Sequence, residues 1–203
     1  MKRTRLRRPA KTEIIIPGRA TVARILGCAS PTNKPRARQF YETPDWATSA
    51  LCSVEVLPPT IWEPFAGRGA ITRVLRAHYK RVIETDLKPR RGCRKVDFMR
   101  AKWPRAFAIV SNPPFDIATR IVDRAYSMRV YYLALLLKGD WLNAGVRAEL
   151  CKEVGHPTRI WAMTRRPDFR NQGAPPMTCS WYVWDWGQVP HAEESILKIL
   201  EVQ

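Results

Sequence analysis

The stretch Thr60–Asp86, TIWEPFAGRGAITRVLRAHYKRVIETD, decides the fold. It opens with a short apolar run that Pro64 stops, since proline lacks the N–H a sheet ladder needs. A turn with two glycines follows. AITRVLRAHYKR then places apolar residues at 71, 74, 75 and 79, a helical spacing, and RVIETD reads as a second strand. Strand, glycine turn, helix, strand is the repeating unit of a parallel α/β sheet. Glycines at such a strand end permit a tight turn and a close approach of backbone to a ligand, just before a helix N-terminus. Gly67-x-Gly69 alone is a weak signal. Position 72 is Thr, so the full G-x-G-x-x-G is absent, and no G-K-[ST] follows to cradle phosphates.

Outward from this unit the alternation continues. TPDWATSALCSVEV upstream reads as a helix, with Pro44 near its start and Asp45 in its first turn. Downstream, RKVDF is a short strand, and FAIVSN is an apolar strand halted by Pro113 and Pro114. DIATRIVDRAYSM is a helix with Ile117, Ile121, Val122 and Ala125 on one face, YYLALLL a buried strand, and NAGVRAELCKEVG a helix ended by Gly155. TRIWAMT and TCSWYVWDW have no helix between them, which predicts an antiparallel hairpin at one edge. AEESILKIL, with its acids first, is expected as a terminal helix. The expectation is an α/β fold: a seven-stranded, mostly parallel sheet with an antiparallel edge hairpin, flanked by helices.

Composition bounds the partner. The 203 residues carry a formal charge of +17, and residues 1–40 hold eleven Lys or Arg against one acid, Glu13. Residues 1–38 therefore read as a basic arm, and 39–203 as a single domain of more moderate charge. An excess of this size predicts a polyanionic partner, nucleic acid first. The five cysteines have no C-x-x-C and the three histidines are scattered, so neither a zinc site nor a disulfide framework is expected. Idle thiols suit a reducing, cytoplasmic compartment. The longest apolar run, Val130–Leu137, is eight residues, too short to span a membrane.

In open α/β sheets ligands bind beyond the carboxyl ends of the strands. An acid ending the second strand, about 20 residues after the glycine turn, hydrogen-bonds ribose in nucleotide-binding folds. Glu84 and Asp86 both qualify, and Asp86, as the last strand residue, is preferred. Asp97 and Phe98, at the end of the third strand, would take an amino group and flank a purine. Trp181, Tyr182 and Trp184 alternate on a strand and read as core or sheet-face residues.

EPFAGRG, with Glu63, Phe65, Gly67 and Gly69, together with Asn112-Pro113-Pro114-Phe115, resembles the S-adenosylmethionine-dependent amino-methyltransferases, the DNA N6-adenine enzymes above all. Tyr41-Glu-Thr43-Pro44 resembles the family's segment that closes over the methionine end. Arg165-Arg166-Pro-Asp-Phe169 resembles its contact to a flipped base. The order of the segments is similar to the γ arrangement, and the likeness covers about residues 40–186. It implies a Rossmann-like class I methyltransferase fold, with S-adenosylmethionine as cofactor and no metal. It also implies roles. Asn112 would offer its side-chain oxygen and Pro113 its carbonyl to the two N–H bonds of the target amine, with Pro114 beside them. Phe115 would stack on the base, and Phe169 would meet its other face. Arg165, Arg166 and Arg170 bracket Phe169 and would hold phosphates.

Other acceptors fit the same fold: adenine in RNA, cytosine N4, or a protein glutamine. A basic nucleic-acid-binding protein that has lost catalysis is a further alternative. The larger members of that family carry a separate target-recognition domain, for which this chain has no space. Recognition would then fall to residues 168–178 and the arm, with a short sequence preference and strong salt dependence. Such compactness would suit a phage or mobile element.

Overall fold

The computed structural model describes residues 42–90, 93–169, 173 and 177–202, all within one compact unit. The basic arm, Tyr41, Arg170 and much of the 168–178 loop lie outside the described residues. Among the described residues, four helices and eight strands alternate: α1 Asp45–Val54, β1 Thr60–Glu63, α2 Ala70–His78, β2 Arg81–Asp86, β3 Arg94–Lys95, β4 Ala108–Ser111, α3 Ala118–Ser127, β5 Tyr132–Lys138, α4 Gly145–Val154, β6 Arg159–Met163, β7 Cys179–Trp184 and β8 Ile196–Leu200.

One sheet runs in the order β3-β2-β1-β4-β5-β7-β6-β8. β1 pairs in parallel with β2 on one side and β4 on the other, with Trp62 opposite both Ile83 and Ile109. The strand order therefore reverses between β1 and β4, the point at which α/β sheets open a crevice. β7 runs antiparallel to β5 and β6, so the expected hairpin forms.

Alternation along β5 explains the two layers. Leu133, Leu135 and Leu137 face Ile121 and Val122 of α3 and Leu150 and Val154 of α4. Ala134 and Leu136 face the other way, toward Leu51 of α1 and Ile71 and Leu75 of α2. Both faces are covered, so β5 is apolar from Leu133 to Leu137. Each fully buried aliphatic side chain stabilises by roughly 1.5–3 kcal/mol. Leu75, with no exposed surface, anchors α2, and truncating it to Ala would cost about 2–5 kcal/mol.

The amino-terminal end of the sheet is tied by a buried polar network. Glu55, just after α1, accepts from Arg159 Nε at 2.6 Å, Trp161 Nε1 at 2.7 Å and Tyr132 Oη at 3.0 Å. Arg159 also donates to Asp185 at 3.1 Å. Tyr132 begins β5, Arg159 begins β6 and Asp185 follows the antiparallel β7, so the network lies away from the β1 and β4 carboxyl termini.

Two expectations need correction. AEESILKIL is not a helix: Ile196–Leu200 is an eighth strand, parallel to β6, from Arg159 opposite Ile196 to Met163 opposite Leu200. Its pattern of apolar residues fits either period, and the open edge of β6 decides the outcome. The hairpin is consequently one strand in from the edge. RKVDF contributes only Arg94 and Lys95 to the sheet; Asp97 caps a 3-10 turn at Phe98–Arg100 by accepting from Met99 N at 3.0 Å.

Candidate active site

Glu63 ends β1 with 1% of its surface exposed. Its Oε1 accepts from Phe65 N at 3.0 Å and from Ser111 Oγ at 2.5 Å, while its Oε2 is buried with no partner. Burial in this apolar setting pushes the carboxyl up to about 8, reinforced by the nearby charges of Asp86 and Glu84. The bond to Ser111 couples the two motifs, since Ser111 ends β4 immediately before Asn112. Ser111 is a site residue that sequence reasoning did not single out. Its only signal is its place beside Asn112.

The turn after Glu63 is built on left-handed backbone at Gly67 (φ 55°) and Gly69 (φ 80°). Only glycine takes such angles without strain. Gly67 N donates to Asp86 Oδ2 at 2.9 Å, and Lys88 N donates to Asp86 Oδ1 at 2.7 Å. Asp86 thus shapes the turn from below. A cleft of about 410 Å³ opens above, lined by Gly67, Gly69, Glu84, Arg76 and Arg90 among others. Glu84, not Asp86, is the β2 acid in its wall, 3.5 Å from Arg76.

Asn112 stands at the end of β4. Its Nδ2 donates to Thr43 Oγ1 at 3.0 Å. Thr43, Glu63, Phe65, Gly67 and Asn112 together wall a small recess beside the main cleft. Holding the amide nitrogen on Thr43 turns the carboxamide oxygen to the other side as an acceptor. Pro44 starts α1 as its N-cap and places Thr43 there. Pro113 is buried, and Pro114 leads into a 3-10 turn at Phe115–Ile117. Phe115 is partly buried and packs against both layers of the core.

The remaining candidates are dispersed. Phe98 is in the core, its ring 5.3 Å from that of Phe65 and 5.4 Å from Trp62, so it supports Phe65 from behind. Asp97 is used by its own turn. Phe169 is partly buried against the layer that holds α1. Arg165 lies over the Trp46 ring at 5.1 Å, and Arg166 is exposed. Trp181, Tyr182 and Trp184 are core residues, as expected.

No protein-family model and no curated protein sequence matches the chain. Solved structures do. The M protein of the type I restriction enzyme EcoKI aligns with a TM-score of 0.61 at 13% identity, over 82% of this chain and 49% of that one. A Listeria monocytogenes protein, provisionally assigned as a class I S-adenosylmethionine-dependent methyltransferase, aligns at 0.55 and 11% identity, over 89% and 71%. A dimethyladenosine transferase from Plasmodium falciparum aligns at 0.50 and 15% identity, over 71% and 62%. The fold is that of the class I methyltransferases. The chain spans about half the length of the EcoKI M protein. Within this methyltransferase fold, Glu63 and Asn112 sit at the carboxyl ends of the two strands that flank the order reversal. Among the described residues no helix is long and apolar enough to cross a membrane, and no three His, Cys, Asp or Glu side chains cluster as metal ligands would.

Proposed function

We propose that this chain transfers a methyl group from S-adenosylmethionine to an exocyclic amine of nucleic acid, with adenine N6 in DNA as the preferred acceptor. The observation that carries the reading is Asn112, held by Thr43 at the mouth of the recess that Glu63 and the glycine turn complete. The residues fit the cofactor. The partnerless Glu63 Oε2 is a buried acceptor that an ammonium group would satisfy. The glycine turn allows close approach of a nucleoside, and Glu84 in the cleft wall is placed to accept from ribose hydroxyls. Here the geometry favours Glu84 over Asp86, whose two oxygens already serve backbone N–H groups.

S-adenosylmethionine, when bound, supplies an electrophilic methyl group on a sulfonium. The protein's part is to make a poor nucleophile attack. An exocyclic amine has its lone pair delocalised into the ring. Asn112 Oδ1 and the Pro113 carbonyl accept its two N–H bonds, which favours a pyramidal nitrogen with the lone pair free. The consecutive prolines fix that carbonyl. Positioning then supplies much of the rate. A base in a duplex must leave the stack to reach this point. Phe115 stacks on it, and Arg165, Arg166 and Phe169 steady the flanking strand. The charge of +17 favours nucleic acid over a small acceptor.

The test uses labelled S-adenosylmethionine with unmethylated DNA and, separately, RNA, followed by mass spectrometry of the nucleosides. N6-methyl-2′-deoxyadenosine from DNA, lost in Asn112→Ala, is the expected result. Label on cytosine or on RNA would change the acceptor and keep the chemistry. No label on either, with cofactor binding absent by calorimetry, overturns the reading.

A further inference from the structure

The end of the sheet opposite Asn112 carries an unassigned surface built from three loops. Phe107 immediately precedes β4, Tyr131 immediately precedes β5, and Trp186 follows the antiparallel β7, so all three lie at the amino-terminal ends of the parallel strands. Backbone and ring contacts make the surface continuous. Tyr131 N donates to Phe107 O at 2.8 Å, Gly187 N to Tyr131 O at 2.9 Å, and Arg124 bonds Ala101 O. The Phe107 and Tyr131 rings stack at 4.9 Å and 14°, and Tyr126 meets Trp186 edge-on at 5.3 Å.

Trp186 is buried and roots the surface in the core, but the outer rings are open to solvent. Trp103 is 78% exposed, and Tyr131 and Phe107 are more than half exposed. The exposed cations Lys102, Arg105 and Arg129 lie within two residues of these rings along the chain. Segments 99–107, 126–131 and 186–189 contain no acid, and Asp185 beside them is buried on Arg159. Arg129 has φ 58°, the one non-glycine residue with positive φ among those described. Glycine adopts that conformation more easily, so the cation stands there against the backbone's preference.

We propose that this surface is a second nucleic-acid contact, a stacking platform for single strands, separate from the catalytic end. Open rings interleaved with Lys and Arg are what unstacked bases on a phosphate chain require. With no acid in these three segments and Asp123 one helical turn before Tyr126, the cations outnumber the acids, which suits a polyanion better than a protein face of mixed charge. β4 spans the molecule between Phe107 and Asn112, roughly 17 Å of extended chain. A strand passing from the platform to the cleft would therefore keep several nucleotides engaged beyond the target base.

The experiment measures binding of the full chain, without cofactor, to labelled single-stranded DNA, single-stranded RNA and duplex DNA of equal length. Salt of about 0.2 M weakens phosphate-only binding and leaves stacking. Trp103→Ala and Phe107→Ala should each weaken single-strand binding roughly 5- to 10-fold, with duplex binding little changed. Arg129→Gly should weaken it too while leaving the melting temperature equal or higher, which separates binding from folding. Binding is read without cofactor and without methyl transfer, so failure of the proposed chemistry would not mimic failure here. Unchanged binding in all three surface variants overturns the platform. So does a change in sedimentation rather than in nucleic-acid affinity, which would assign the surface to a second copy of the chain.

Discussion

Asn112 Nδ2 and Thr43 Oγ1 are joined at 3.0 Å across 69 residues of sequence. The bond fixes which way the carboxamide faces, and Thr43 is itself only 4% exposed. Thr43→Val keeps the shape and removes the acceptor. We expect the proposed methyl transfer to fall about 10- to 100-fold through lost positioning, while the melting temperature changes little. Thr43→Ser, which keeps the hydroxyl, should restore most of the rate. Full activity in the valine variant would mean the carboxamide is oriented by something else.

Glu63 titrates near 8 rather than near 4.5. The folded protein thus binds this proton more tightly than the unfolded chain does. Its contribution to stability is complete below about pH 4.5 and is lost as the pH rises through about 8. Without cofactor, the melting temperature of the wild type should fall relative to Glu63→Gln between those limits. An ammonium-bearing ligand needs the carboxylate, so cofactor affinity should rise with pH to about 8 in the wild type and stay low and flat in Glu63→Gln. Calorimetry across pH reads both.

The Glu55–Arg159–Asp185 group predicts a purely structural phenotype. The Arg159 side chain is 22% exposed and that of Glu55 5%. Arg159→Met leaves two carboxylates buried without their cation, and urea unfolding should show a loss of about 3–5 kcal/mol. The network lies at the sheet end away from Asn112, so cofactor affinity below the unfolding transition should be unchanged.

Two glycines should respond to alanine with opposite signs. Gly155 closes α4 at φ 82°, and a Cβ there would lie 2.9 Å from Ala192 N and 3.1 Å from His191 Cα. Those are backbone atoms, and Gly155→Ala should destabilise by roughly 2–3 kcal/mol or more. Gly145 begins α4, and a Cβ added to it would meet nothing within 4 Å. Gly145→Ala should stabilise by about 0.5 kcal/mol. Paired thermal melts check both.

The parts of the fold legible in the sequence are those with a local cause. Pro64, the glycine turn and the spacing of Ile71, Val74 and Leu75 specify β1 and α2 without help from elsewhere. β8 has no such cause. Ile196, Leu197, Ile199 and Leu200 suit either period, Glu193 and Glu194 imitate a helix start, and only pairing with β6 makes the segment extended. The site divides in the same way. Gly67 stands out as a glycine in a strand-end turn, and Asn112 because two prolines follow it. Glu84 and Asp86 lie on the same side of one strand, and which of them faces the cleft depends on Gly67 N reaching Asp86 from another strand end. Phe98 looks available for a ligand because a tripeptide does not reveal that Trp62 and Phe65 already enclose it.

β8 has one more consequence, for the protein's behaviour at high concentration. Among the described residues it is the outermost strand, with Ile196, Leu197 and Ile199 exposed and one charge, Lys198, among them. That ammonium lies 4.9 Å from the Trp161 ring centroid, over a sheet face. A sheet edge of this kind recruits other edges, and a lysine is the usual gatekeeper against it. Lys198→Leu should turn a clear stock cloudy, and a second charge at Leu197 should keep it clear.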